Sequence, residues 1–266
     1  MVKMQNILSI DIPIFQPKYK RWKKCGYTDP GEKQNLKEVL NAATGGYCMY
    51  CYSRINTDGK FVGHLEHAIE KNNSDRLLEC IPNIGLACPV CNLSFKKRGE
   101  NNRKIDTHTV GEFEKKCNCR KKRKQCTVTC QALRKLQKSY SKLPDAEILL
   151  QPMNIKAQNE KVLQLRYNVL KMEFEPLEDY EHILTDEERQ FVRIHIQRFH
   201  LNDPKYRTKQ LRDFVGLMID MNGKIPNYEY NNLVVQLFAM QIEEKTIEER
   251  LKICNSIYPI LVLVGE

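Results

Sequence analysis

Two short cysteine pairs, Cys48-Met49-Tyr50-Cys51 and Cys88-Pro89-Val90-Cys91, carry the clearest chemistry in the chain. A CxxC turn brings two thiolates to one ion, and a second such turn completes a tetrahedral four-thiolate site of the kind that holds zinc, Zn2+. The site is closed. Four thiolates leave no coordination position for water, so this zinc is structural rather than catalytic. Thioredoxin-like redox chemistry is the rival for a lone CxxC, but it does not predict two of them. The gap between the pairs is longer than a simple zinc ribbon requires, which predicts an insertion between them.

Between and behind the pairs lie Gly63-His64-Leu65-Glu66-His67-Ala68-Ile69-Glu70, then Pro82-Asn83-Ile84-Gly85-Leu86-Ala87, then Cys91-Asn92-Leu93-Ser94-Phe95-Lys96. The order is CxxC, an acid plus His, Asn before a short apolar strand, then CxxC with Asn directly after it. In this order the segment resembles the zinc-bearing branch of the HNH endonuclease family. The resemblance implies a ββα-metal fold, with the His on the first strand, the middle Asn on the connection and the last Asn on the helix. It also implies hydrolysis of phosphodiester bonds in nucleic acid. His67 matches the general base, Asn83 the residue that orients its imidazole, and Glu66 and Asn92 the ligands of one catalytic Mg2+ or Mn2+. The residue types suit these roles: imidazole titrates near neutral pH, and oxygen ligands suit a hard cation that stabilises phosphate charge. Many family members carry Asp and His where Glu66 and Asn92 stand, so the preferred metal is left open.

Each residue also has a bland reading. A lone strand His is more often packed than catalytic, Asn83 can be a turn residue after Pro82, and Asn92 a surface residue early in a helix. Their joint placement favours the functional reading. His64 lies three residues before His67, where strand alternation puts it on the opposite face. It is read as peripheral, with phosphate contact as its functional alternative. Lys96 and Lys97 are either a solvated face or phosphate contacts beside the metal helix. Cys80 belongs to no pair and reads as a buried apolar residue.

A second cysteine group, Cys117-Asn118-Cys119 and Cys126-x-x-x-Cys130, encloses Arg120, Lys121, Lys122, Arg123 and Lys124. Cys126 and Cys130 would share a helical face, with the CxC turn supplying two further ligands to a second zinc. The alternative is a basic helix with incidental buried thiols. Under either reading the five cations suit a nucleic-acid backbone.

The elements that must position these residues follow from local pattern. Asp29-Pro30 is a helix start, Leu36, Val39 and Leu40 share a face, and Gly45-Gly46 ends the helix. Ile84, Leu86 and Ala87 form a strand, and Cys91 opens a helix. Alternation at Leu163, Leu165 and Tyr167, then at Leu170, Met172 and Phe174, predicts short strands with a hairpin. From Asp186 the pattern turns helical: Phe191, Ile194 and Phe199 recur in one segment and Leu211, Phe214, Val215 and Met218 in the next. Further helices are expected over 227–244 and 246–256. The segments are therefore a basic lead-in and helix over 1–46, the nuclease module over 47–98, a basic cysteine-rich insertion over 99–143, and strands then helices over 144–266. The fold class is α+β, mainly helical, with a zinc-stapled ββα-metal module and a helical C-terminal region.

The formal charge of +10 suits a polyanionic partner, although a merely soluble basic surface gives the same number. No signal peptide or membrane span is read, which places the chain in the cytoplasm, where its eleven cysteines favour metal over disulfides. Downstream, Glu147-Ile148-Leu149-Leu150-x-Pro152 and Phe199-His200-Leu201-Asn202 resemble HNH subunits of bacterial anti-phage systems of the Septu and retron-associated kind. That resemblance implies an effector nuclease regulated by a separate ABC-type or SMC-like ATPase, docked on the helical C-terminal region. The chain itself has no GxxxxGK[ST] loop. DNA is favoured as substrate, and RNA stays open because the chemistry does not select the sugar. Two rivals stand beside this reading. A non-catalytic zinc finger that binds nucleic acid has no need of Glu66, His67, Asn83 and Asn92 together, and a free-standing restriction or homing nuclease needs a target-reading element.

Overall fold

The structure is a computed structural model that describes residues 7–116, 129–180, 182–227 and 229–265. In chain order its first elements are β1 (Ser9–Asp11), α1 (Pro30–Thr44), β2 (Asn56–Thr57), β3 (Lys60–Phe61), β4 (His64–His67) and β5 (Ile84–Ala87). Next come α2 (Thr107–Lys116), α3 (Gln131–Tyr140), β6 (Leu165–Asn168) and β7 (Glu173–Pro176). The chain closes with α4 (Asp186–Arg198), α5 (Gln210–Asp220), α6 (Leu233–Glu243) and α7 (Ile247–Gly265). It is an α+β chain with small antiparallel sheets.

The described chain divides into two compact units. One gathers 14–51 and 55–162, so the segment boundaries drawn at 46, 98 and 143 fall inside it. The other gathers the N-terminus to Pro13, Tyr52–Arg54, and everything from Leu163.

In the first of these units α1 forms as its sequence dictates. Asp29 accepts the Glu32 amide at 2.8 Å, Pro30 occupies the first turn, and Gly45 ends the helix at φ 65°, a left-handed conformation that costs glycine nothing. Leu36 and Leu40 are fully buried, whereas Val39 is half-exposed. β4 and β5 pair antiparallel in the register His64 to Ala87, Leu65 to Leu86, Glu66 to Gly85 and His67 to Ile84. Gly85 has no room for a side chain, since a Cβ there would lie 2.7 Å from the Gln151 carbonyl oxygen. After β5 comes the second cysteine pair and one wide helical turn, Cys91–Phe95, in which the Lys96 amide reaches back to the Cys91 carbonyl at 2.9 Å. α2 and α3 pack together and bury Phe113, Leu133, Leu136 and Tyr140.

In the other unit β1 adds to the β6–β7 hairpin as a third strand, Ile10 opposite Tyr167 and Tyr167 opposite Phe174. The alternation of Leu165 and Tyr167 thus buries one face, as expected. α5 buries Leu211, Phe214, Val215 and Met218, its expected face. α4 is turned from its expected face: Val192, His195, Ile196 and Phe199 are buried, while Phe191 and Ile194 are only half-buried. The helix expected over 227–244 starts at Leu233, where the Asn232 side chain caps the Val234 amide at 3.0 Å. The last helix runs past the expected end at 256 to Gly265, with Pro259 inside it. No helix among the described residues is long and apolar enough to cross a membrane.

Candidate active site

The four sulfurs of Cys48, Cys51, Cys88 and Cys91 lie within 4.8 Å of one another. Cys51 and Cys88 are 3.7 Å apart, against about 3.8 Å for two thiolates at tetrahedral corners about 2.3 Å from one zinc. Main-chain amides point at the sulfurs: Tyr50 N and Cys88 N at Cys48 Sγ, 3.4 and 3.2 Å, and Cys91 N at Cys88 Sγ, 3.4 Å. Donors of this kind stabilise thiolate charge. Burial holds the Cys48 thiol well above its usual range, and contact with the other sulfurs pushes Cys91 up and Cys88 down. The donor set and spacing fit a metal such as zinc, and the four cysteines can hold one. Among the described residues no other group of three or more His, Cys, Asp or Glu side chains could hold an ion.

His67 ends β4 and is 8% exposed. Its Nε2 lies 3.1 Å from the Leu78 carbonyl oxygen, which can only accept, so the neutral ring carries its hydrogen on Nε2 and leaves Nδ1 basic. Burial holds its pKa down to about 4, with Lys71 and Lys96 adding to that push and the Leu78 carbonyl and Glu79 opposing it. Asn83 was expected to orient the imidazole, but its contacts are elsewhere. Its amide brackets Ile69, accepting from the Ile69 amide and donating to the Ile69 carbonyl, both at 2.8 Å. The Asn83 carbonyl also accepts from the Ala68 amide at 2.7 Å. Fully buried, Asn83 therefore closes the base of the 68–83 connection, and the closed connection brings Leu78 onto His67.

The acidic half of the expected cation site does not fit. Strand alternation sends Glu66 away from His67, and the carboxylate is 3% exposed. One oxygen is ion-paired with Lys96, and the other accepts from the Tyr50 hydroxyl at 2.6 Å. Burial raises the Glu66 carboxyl above its usual range despite both partners. No oxygen of Glu66 faces an open coordination position.

Lys96 is likewise no phosphate contact. It is 4% exposed, and its ammonium pairs with Glu66, donates to the His67 carbonyl at 2.6 Å, and lies 3.4 Å from Glu70. Glu70 also accepts from Arg103 at 2.8 Å and from the Tyr140 hydroxyl at 2.9 Å. Although its burial opposes ionisation, Lys96 and Arg103 together hold the Glu70 carboxyl low. Nothing in sequence spacing pointed to this buried network, because its members come from four separate stretches. Lys97, by contrast, is exposed.

Asn92 sits half-buried on the wide turn, and its amide nitrogen lies 3.4 Å from Nδ1 of His64. His64 thus belongs beside Asn92 rather than apart from the cluster. Cys80 is buried, as expected, and stands outside the four-cysteine group. Of the second cysteine group, Cys130 caps α3, its sulfur accepting the Leu133 amide at 3.4 Å. Cys117, Cys119, Cys126, Arg120, Lys121, Lys122, Arg123 and Lys124 lie outside the described residues. No family model, curated protein or solved structure matches the chain.

Proposed function

We propose that this chain is an HNH-type endonuclease that hydrolyses phosphodiester bonds of nucleic acid, with His67 as the general base. The observation that carries the reading is the His67 imidazole, held on Nε2 by the Leu78 carbonyl at 3.1 Å, at the mouth of a connection that Asn83 closes.

The chemistry follows from the tautomer. With Nε2–H given to a carbonyl, Nδ1 takes the proton of a water whose oxygen attacks phosphorus. The bond from phosphorus to the leaving sugar oxygen breaks and that oxygen takes a proton from solvent, giving a phosphate monoester and a hydroxyl, while the imidazolium returns its proton to solvent. Lys96 fixes the His67 carbonyl from behind and so keeps the ring at the end of β4. Zn2+ bound by Cys48, Cys51, Cys88 and Cys91 would lock the two knuckles on either side of the β4–β5 hairpin. The Mg2+ or Mn2+ implied by the resemblance finds only Asn92 of its two expected ligands half-open to solvent, which leaves the rest of its shell to groups other than Glu66. The same resemblance assigns the enzyme to anti-phage defence with a separate ATPase subunit on the helical C-terminal unit.

The test is hydrolysis of labelled DNA and RNA strands by the zinc-loaded protein with Mg2+ or Mn2+. Products ending in a phosphate monoester are expected. Absence of cleavage of both nucleic acids, with the ATPase partner present as well as without it, would overturn the proposal.

A further inference from the structure

The basic lead-in ends against His67, and it brings groups there that proton transfer does not require. Tyr27 meets the imidazole edge-on, with ring centroids 4.5 Å apart. Two ammonium groups lie over the same phenol ring, Lys33 Nζ at 4.8 Å and Lys71 Nζ at 5.6 Å from its centroid. Lys33 comes from α1 and Lys71 from the β4–β5 connection, so separate elements converge on one ring.

The seat of this ring is built. Glu79 accepts from the amides of Tyr27 and Thr28, both at 2.8 Å, and Glu79 directly follows Leu78, whose carbonyl holds His67. One short stretch of the connection thus fixes both the candidate base and the tyrosine beside it. The Glu79 carboxylate is held by these two amides and by the Thr28 hydroxyl. Among the described residues neither Lys33 nor Lys71 has a carboxylate within ion-pair distance. Two converging ammonium groups, neither of them ion-paired, raise the potential where an anion can enter, against the opposing charge of the Glu79 carboxylate. Contact with an aromatic face orders lysine side chains that would otherwise be mobile.

Resting on the hydrolase reading, we propose that Tyr27, Lys33 and Lys71 form a phosphate-binding subsite for the nucleic-acid backbone next to His67. The ligand class is the phosphodiester strand itself, gripped by charge and without reading of bases. Tyr27 acts as the positioning residue, and the two lysines make the contacts.

The experiment measures binding of a labelled oligonucleotide by fluorescence anisotropy over a salt series, and cleavage kinetics on the same strand. The double variant Lys33→Gln, Lys71→Gln should bind on the order of ten-fold more weakly at low salt, with a salt slope shallower by about two. Its kcat at saturating strand should stay near the wild-type value while KM rises. The charge-matched control Lys135→Gln, Lys138→Gln, on the exposed side of α3, should leave affinity close to wild type. Tyr27→Ala should reproduce the double variant, and Tyr27→Phe, which keeps the ring, should not. Unchanged affinity and slope in the lysine pair, equal losses in the control pair, or no binding by the wild type would overturn the subsite. Cleavage that persists with unmoved affinity would sink the subsite alone. Lysine-dependent binding without any cleavage would sink the hydrolase reading and leave the subsite standing.

Discussion

At the scale of single residues, the imidazole and the buried lysine carry the reading. His67 has its pKa held at about 4 by burial, against an ordinary value near 6.5. A base so placed is neutral at every pH above about 5, so the acidic limb of kcat/KM should fall near pH 4 rather than near 6.5. The same shift has a stability consequence. A histidine with a lowered folded pKa contributes stability that is present above about pH 6.5 and lost as pH falls toward 4. Wild type should therefore lose up to about 3 kcal/mol relative to His67→Gln across that window, read by urea unfolding at stepped pH. Lys96 separates two accounts of its own role. As a surface phosphate contact it would tolerate Lys96→Met within about 0.5 kcal/mol. Buried between Glu66 and Glu70, its loss leaves the buried Glu66 carboxylate without a cation, although Arg103 still pairs with Glu70, and should cost about 3–5 kcal/mol by chemical denaturation. Equality of the variant with wild type in that measurement would contradict the buried network.

At the scale of elements, what was legible in the sequence was what is local. Asp29, Pro30 and Gly45 set the ends of α1 through bonds within a few residues, and Ile84, Leu86 and Ala87 mark β5 by composition alone. The strand partner of His67 followed from the same hairpin. Less was legible where a side chain's fate depends on what covers it. Alternation separates Glu66 from His67, but it does not reveal that Tyr50 and Lys96 close over the carboxylate. Arg103 lies in the segment read as a basic insertion, yet it is 0% exposed and bound to Glu70. Likewise the buried face of α4 includes His195, which no apolar count selects. Gly85 tests the hairpin's close fit. Its Cβ position lies 2.7 Å from a main-chain oxygen that a rotamer change cannot move, so Gly85→Ala should destabilise by about 1–3 kcal/mol. A neutral result would mean that the 151 segment does not press on β5.

At the scale of the whole molecule, the two compact units interleave in sequence, since Tyr52–Arg54 belong with the C-terminal unit while Cys51 and Ile55 on either side do not. A metal held by Cys48, Cys51, Cys88 and Cys91 should support the unit that contains all four residues. Stripping the metal with a strong chelator is expected to cause cooperative loss of structure, recovered on adding Zn2+, because a four-thiolate site contributes folding energy directly. Cys48→Ser should bind less than one zinc per chain and show the same loss without chelator. Retention of a full zinc complement by that variant, or an unaltered melting curve after stripping, would contradict the staple. The proposed role of His67 is to take the proton from water. It is tested most directly by single-turnover cleavage of one labelled strand by wild type and by zinc-replete, folded His67→Ala, at equal bound fraction. The variant should bind the strand as before and cleave it at least about 100-fold more slowly; cleavage by the variant at the wild-type rate would rule out His67 as the general base.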